Sequence, residues 1–187
     1  MAYAMGIEDR SAETTGDDRA GQRAQPPRET DHQSLERERD GSRETLEAAL
    51  NAACDGDVRF DEYTRVLYAT DGSIYSAQPA GVVFPRDRDD VRAAVRVAAD
   101  YDVPVLPRGA GSSLAGQTVG PGCVVLDLSR HMDEVRAIDP DAQTAVVQPG
   151  VVQDDLDATL ESHGLRFAPD PASSNRATIG GGIGNNS

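Results

Sequence analysis

GVVFPRDRDDVRAAVRVAADYDVPVLPRGAGSSLAGQ, residues 81–117, holds the signals from which the fold is read. GVVFP predicts a short strand stopped by Pro85, and Asp87 or Asp89 then caps a helix. Val91, Ala94, Val95 and Ala98 fall at i, i+3, i+4 and i+7 of that helix, one apolar stripe ending near Tyr101. Val103–Pro107 predicts a second strand. The three elements have the order and length of a βαβ unit with a right-handed crossover.

The glycine-rich loop that follows, PRGAGSSLAGQTVGPG from Pro107, suits a phosphate. Gly109, Gly111 and Gly116 let the backbone take positive φ and approach a ligand closely, so successive amides can converge on an anion while Ser112 and Ser113 add hydroxyls. Neither common nucleotide motif fits: no Lys follows a glycine, and Leu114 occupies the third glycine position of the Rossmann spacing. By its residues alone the stretch is equally readable as a long flexible turn.

Working outward, Ser42 reads as the N-cap of a helix carrying Leu46, Ala49, Leu50 and Ala53, and Asp61 as the cap of a second with Tyr63, Val66 and Leu67 on one face. Further strands are expected at Cys123–Leu128, Val135–Ile138 and Thr144–Gln148. A helix follows with Val152, Leu156 and Leu160 as its buried stripe, ending at His163 and Gly164. The mixture predicts an α+β domain. The expected divisions are an acidic disordered tail over 1–41, a helical lead-in over 42–78 and a cofactor-binding domain over 79–187. The tail holds Ile7 and Leu35 as its only large aliphatics, too few to offset ordering entropy.

The 187 residues include 18 basic and 32 acidic side chains, a formal net charge of −14, which argues against nucleic-acid binding. Every basic residue is arginine and lysine is absent, while 22 of the acids are aspartate. Such a surface suits a salt-rich cytoplasm; codon bias in a GC-rich genome is the competing explanation. No stretch is long and apolar enough to span a bilayer, and the N-terminus has no secretory signal, so a cytoplasmic location is expected. Cys54 and Cys123 are isolated and read as buried thiols. No metal site is expected: Asp154, Asp155 and Asp157 form a solvated helical turn. His32, His131 and His163 read as tail, turn and helix-end residues.

A second small-residue stretch, FAPDPASSNRATIGGGIGNNS from Phe167, repeats the chemistry of the first. Two such loops separated by strands and a helix suggest two walls of one elongated cofactor site, against the alternative of a flexible C-terminal tail.

RGAGSSLAGQ from Arg108, VQPGV from Val147 and PDPASSNRATIGGGIGNNS from Pro169 resemble the FAD-binding domain of flavoproteins of the p-cresol methylhydroxylase and vanillyl-alcohol oxidase type. The branch they resemble contains D-lactate dehydrogenase, the glycolate oxidase FAD subunit and D-2-hydroxyglutarate dehydrogenase. YATDGSIY from Tyr68 and GVVFPRDRDDV from Gly81 are similar to it too. The resemblance implies FAD as cofactor. Arg108, Gly109, Ala110, Gly111, Ser112, Ser113, Gly116 and Gln117 would cradle its pyrophosphate and ribose. Asp170, Pro171, Ala172 and Ser173 would border it, and Ala177, Thr178, Ile179, Gly180, Gly181 and Gly182 would meet the flavin end, with Gly184, Asn185 and Asn186 nearby. Ser112 replaces the family's frequent Thr, and Gly182 stands where a larger residue is common.

In that branch a hydride passes from the α-carbon of a small 2-hydroxy acid to the flavin while a base takes the hydroxyl proton. The motif at Ser187 ordinarily runs on, so the chain reads as an N-terminal fragment: the first subdomain and the start of the second. The rest of the cofactor domain, a substrate-binding domain and, in some relatives, an iron–sulfur region would lie elsewhere, on this gene or on a separate chain. No residue here is assigned a catalytic role. The reading from another class is a non-catalytic flavin or nucleotide-binding module, or a decayed gene fragment.

Overall fold

The computed structural model describes residues 29–187. In chain order its elements are α1 (Glu29–Ala53), β1 (Asp57–Arg59), α2 (Glu62–Leu67), β2 (Gly81–Phe84), α3 (Arg88–Asp100), β3 (Val105–Arg108), β4 (Val124–Asp127), β5 (Val135–Asp139), β6 (Thr144–Val147), α4 (Gln153–Glu161) and α5 (Ile179–Asn185).

The strands of the expected βαβ unit, β2 and β3, are parallel but not adjacent: β4 lies between them in the order β1-β2-β4-β3. Every residue of β2 and β4 is buried, as strands covered on both faces require. Their side chains alternate between two cores. Val83, Val124 and Leu126 pack with Leu46 and Leu50 of α1 and with Ala94 of α3. Val82, Phe84, Cys123 and Val125 pack on the opposite face with Tyr68 and Leu106. The antiparallel hairpin of β5 and β6 belongs to a third core, in which Val135, Ile138, Ala145 and Val147 surround Val151, Leu156, Leu160 and Ile179.

Caps form where acids precede helices. Asp61 accepts the Thr64 N–H at 2.9 Å, and Asp87 accepts those of Asp89 at 2.8 Å and Asp90 at 3.0 Å. Val95, expected in the α3 stripe, is 45% exposed; the helix instead buries Asp90 beside Ala94 and Ala98. Both cysteines are buried, and desolvation, then the carboxylates of Asp90 and Asp55, push the Cys54 thiol up to about 11.

Three expectations need correction. The helix expected to start at Ser42 starts at Glu29; residues 1–28 of the proposed tail lie outside the described residues. Glu and Arg, frequent in this run, have good helix propensity. The 42–78 stretch is not purely helical: β1 pairs antiparallel with β2 and extends the sheet. Its three residues, DVR, are too short for any periodicity to show. Finally, residues 179–185 form a helix where the glycines suggested a loop, because Thr178 caps it and its Oγ1 accepts the Gly181 N–H at 3.2 Å.

Asp90 joins the two sides of this framework, accepting the N–H of Asp55 and the N–H of Arg86, each at 2.8 Å. Asp90→Ala leaves both donors without that acceptor. It is expected to cost about 2 kcal/mol or more in denaturant unfolding, whereas Asp89→Ala, at an exposed position, costs less than about 0.5 kcal/mol.

Candidate functional site

Parallel pairing sets Arg108 of β3 opposite Asp127 of β4, so both strands end at one edge of the sheet, and the glycine loop leaves from there. Ligands of open parallel sheets sit outside such carboxyl ends. Gly111 and Gly116 have φ of +65° and +79°. A Cβ at Gly111 would overlap Arg108 Nη2 and lie 2.8 Å from its Cζ; one at Gly116 would lie 2.8 Å from the Tyr75 ring. Among the described residues, the N–H groups of Ala110, Gly111, Ser112 and Ser113 donate to no protein acceptor. A run of consecutive, uncommitted amides beside positive-φ glycines is the backbone chemistry of an anion nest, and it fits a diphosphate.

The loop is held from within and from outside. Ser113 Oγ accepts the N–H of Ala115 at 3.2 Å and that of Gln117 at 3.3 Å, and it also pairs with the Gln117 side chain. Its hydroxyl therefore serves the loop's own shape. The YATDGSIY stretch buttresses the outer side: Gly72 N–H donates to the Gly111 carbonyl at 3.0 Å, and Thr118 Oγ1 donates to Asp71 Oδ2 at 3.0 Å. This stretch, with Thr118, is the part of the site that the residue-by-residue reading missed. Its likeness to the family was visible, but its contact with the loop depends on tertiary packing.

The two small-residue stretches meet. Gly109 lies against Thr178, whose Oγ1 a Cβ at 109 would overlap, and Gln117 Nε2 donates to Asn185 Oδ1 at 2.9 Å. Beside that junction a cleft of about 310 Å³ is lined by Ala110 and Thr178 together with Gly150, Val152, Asn175 and Arg176. Thr178 and Ile179 are buried, the latter donating its N–H to Val151 O at 2.9 Å. Gly180 donates to Pro149 O at 2.8 Å and has no room for a Cβ, which would sit 2.7 Å from that of Pro149. Gly181 is committed to the cap, whereas Gly182 and Gly184 face open space, and Asn186 takes a left-handed conformation with φ +55°.

Residues 170–173 turn toward α4 instead. Asp170 faces Arg166 at 3.8 Å, the Pro171 carbonyl accepts the Ser174 N–H at 2.9 Å, and the Ser173 carbonyl accepts the Ala177 N–H at 2.7 Å. Ala172 is exposed, and the Ala177 carbonyl accepts the Gln153 N–H at 3.0 Å. Among the described residues, no hydrogen bond or ion pair joins 170–173 to the glycine loop.

The geometry defines a class: an α+β domain presenting a phosphate-type backbone nest at the carboxyl edge of a parallel sheet. Comparison with known proteins makes it particular. Residues 79–187 match the FAD binding domain family. The chain is 43% identical over 143 residues to D-2-hydroxyglutarate dehydrogenase of Pseudomonas putida, covering 75% of this chain and 14% of that protein. It is 36% identical over 135 residues to glycolate oxidase subunit GlcD of Bacillus subtilis, covering 71% and 29%. Among solved structures, 4-ethylphenol oxidase from Gulosibacter chungangensis superposes with a TM-score of 0.66 at 24% identity, over 76% of this chain and 28% of that one. p-Cresol methylhydroxylase superposes at 0.65 and 22%, over 78% and 29%. These structures share the fold. The chain belongs to the FAD-binding domain family, with FAD as its cofactor, and spans less than a third of the relatives it matches.

Two changes test the site's construction. Gly109→Ala drives a methyl into Thr178 Oγ1 and breaks the cap on α5. Loss of the cap costs about 1 kcal/mol and should speed amide exchange at Gly181; unchanged exchange would mean that the two stretches are not in contact. Asp71 supplies the second. Burial pushes its carboxyl up, but hydrogen bonds from Ser73 and Thr118 outweigh this and hold it below the ordinary carboxylate range. A depressed folded pKa contributes stability above the unfolded value of about 3.9, and that contribution is lost as pH falls through the folded one. Asp71→Asn should lower the unfolding midpoint at pH 7 and flatten its fall below about pH 4.

Proposed function

We propose that this chain is the N-terminal, pyrophosphate-binding part of an FAD-dependent oxidoreductase that oxidises a D-2-hydroxy acid of the lactate, glycolate or 2-hydroxyglutarate type. The observation that carries the first half is the run of uncommitted amides from Ala110 to Ser113 beside two positive-φ glycines. The names of the curated relatives support the second half.

When bound, FAD supplies the hydride acceptor for oxidation at the substrate α-carbon. This chain's residues bind and orient. The amides of residues 110–113 hold the diphosphate, Thr178 fixes the distance between the two small-residue stretches, and the open side of Gly182 and Gly184 leaves the backbone accessible to a flat ring. Groups that bind the 2-hydroxy acid and take its proton are proposed to come from polypeptide outside this chain's match, on a continuation or a separate partner. We also assign the protein to a salt-rich cytoplasm, on the strength of its −14 charge and the absence of lysine. Among the described residues no helix is long and apolar enough to cross a membrane.

Full-length chain incubated with FAD in molar salt and passed through gel filtration should elute with flavin absorbance; riboflavin, which lacks the diphosphate, should be retained far more weakly. Colourless protein, both alone and with any partner that completes the site, would contradict the proposal. The salt assignment has its own test. The thermal midpoint should rise between about 0.1 M and about 2 M KCl as repulsion among carboxylates is screened, and a flat or falling midpoint would contradict it.

A further inference from the structure

Arg108 is held behind the glycine loop through one end of its guanidinium. Its Nη1 donates to the Thr118 carbonyl at 3.1 Å and to the Tyr68 carbonyl at 3.4 Å, two points that flank the glycine loop. Its Cζ lies 5.0 Å from the centroid of the Tyr68 ring, and the Tyr68 hydroxyl is anchored on Asp127 at 2.5 Å. The guanidinium fills the space that a side chain at Gly111 would need. Among the described residues no carboxylate lies within ion-pair distance of it. Nη1 is thus committed to carbonyls and the guanidinium plane to an aromatic face, with Nη2 and Nε lying beside Gly111, an arrangement that a planar fork makes and an ammonium does not reproduce.

We infer that Arg108 is a positioning residue: a guanidinium strut behind the glycine loop, which sets the backbone curvature of 109–118 and requires glycine at 111, while making no direct contact with the cofactor. The inference rests on the FAD reading for its purpose but not for its geometry. It also changes the reason for Gly111, whose missing side chain makes room for Arg108 rather than for phosphate.

A double-mutant cycle on the full chain tests the geometry without ligand. Left-handed strain from Gly111→Ala is common to both backgrounds and cancels, so the collision with the guanidinium is isolated. The loss of unfolding midpoint caused by Gly111→Ala should be at least halved when Arg108 is already alanine; additive losses would overturn the strut. If Arg108→Ala does not fold, Arg108→Gln, shorter and uncharged, carries the same cycle. FAD titration then supplies a readout that scaffold stability alone would not move. Arg108→Ala, under conditions where it is folded, should bind FAD about tenfold more weakly or worse. Millimolar guanidinium ion should restore part of that affinity, whereas sodium at equal ionic strength should not, and Gly111→Ala should show no rescue. Loss of FAD affinity together with additive unfolding losses in the cycle would count against a strut and for direct ligation. A coupled cycle in a wild-type chain that takes up no FAD would leave the strut standing and remove the proposed function.

Discussion

Where Gly109 meets Thr178, a hydroxyl stands in the space of an absent side chain, and the site depends on that close approach. Thr178 is buried, bridges to Val152 and caps α5, so it ties the hairpin core to the helix that carries the second set of glycines. Gly109 is the first residue after β3, so it ties the same point to the parallel sheet. This contact couples the two cores together with the Gln117–Asn185 hydrogen bond and the packing of Gly150 against Leu128. Any side chain at 109 would push them apart and widen the cleft beside Ala110.

The second constraint is electrostatic. A chain with a formal charge of −14 and no lysine has little side-chain charge to offer a diphosphate, and its one arginine at the loop is turned toward carbonyls. In the proposed site the peptide dipoles of the loop, fixed in place by folding, supply the contacts to the diphosphate. This explains why so much of the surrounding structure serves the loop's shape. Ser113 closes it internally, Gly72 and Asp71 hold its outer side, and Arg108 fills its back.

Much of this was legible in the sequence, and the failures have physical causes. The strands β2 to β6 and the helices α3 and α4 carry their own apolar pattern, α3 with the Asp87 cap as well, and both glycine stretches point to backbone crowding. What could not be read locally was pairing: β4 lies between β2 and β3, and DVR at β1 joins the sheet only because a partner strand is there. The same holds at the site. Gly111 announces a lack of room, but nothing nearby says that the room belongs to Arg108, and the glycines of α5 read as loop until Thr178 supplies the cap. Residues 170–173 carry the family's motif, yet their hydrogen bonds run to their own turn.

In the proposed site the amides of residues 110–113 receive a diphosphate. Backbone ¹H–¹⁵N spectra of the full chain, recorded while ADP is added and again with adenosine, test it most directly. Saturable shifts centred on Ala110, Gly111, Ser112 and Ser113 are expected with ADP and none there with adenosine. Shifts confined to other residues, or equal responses to the two ligands, would contradict it.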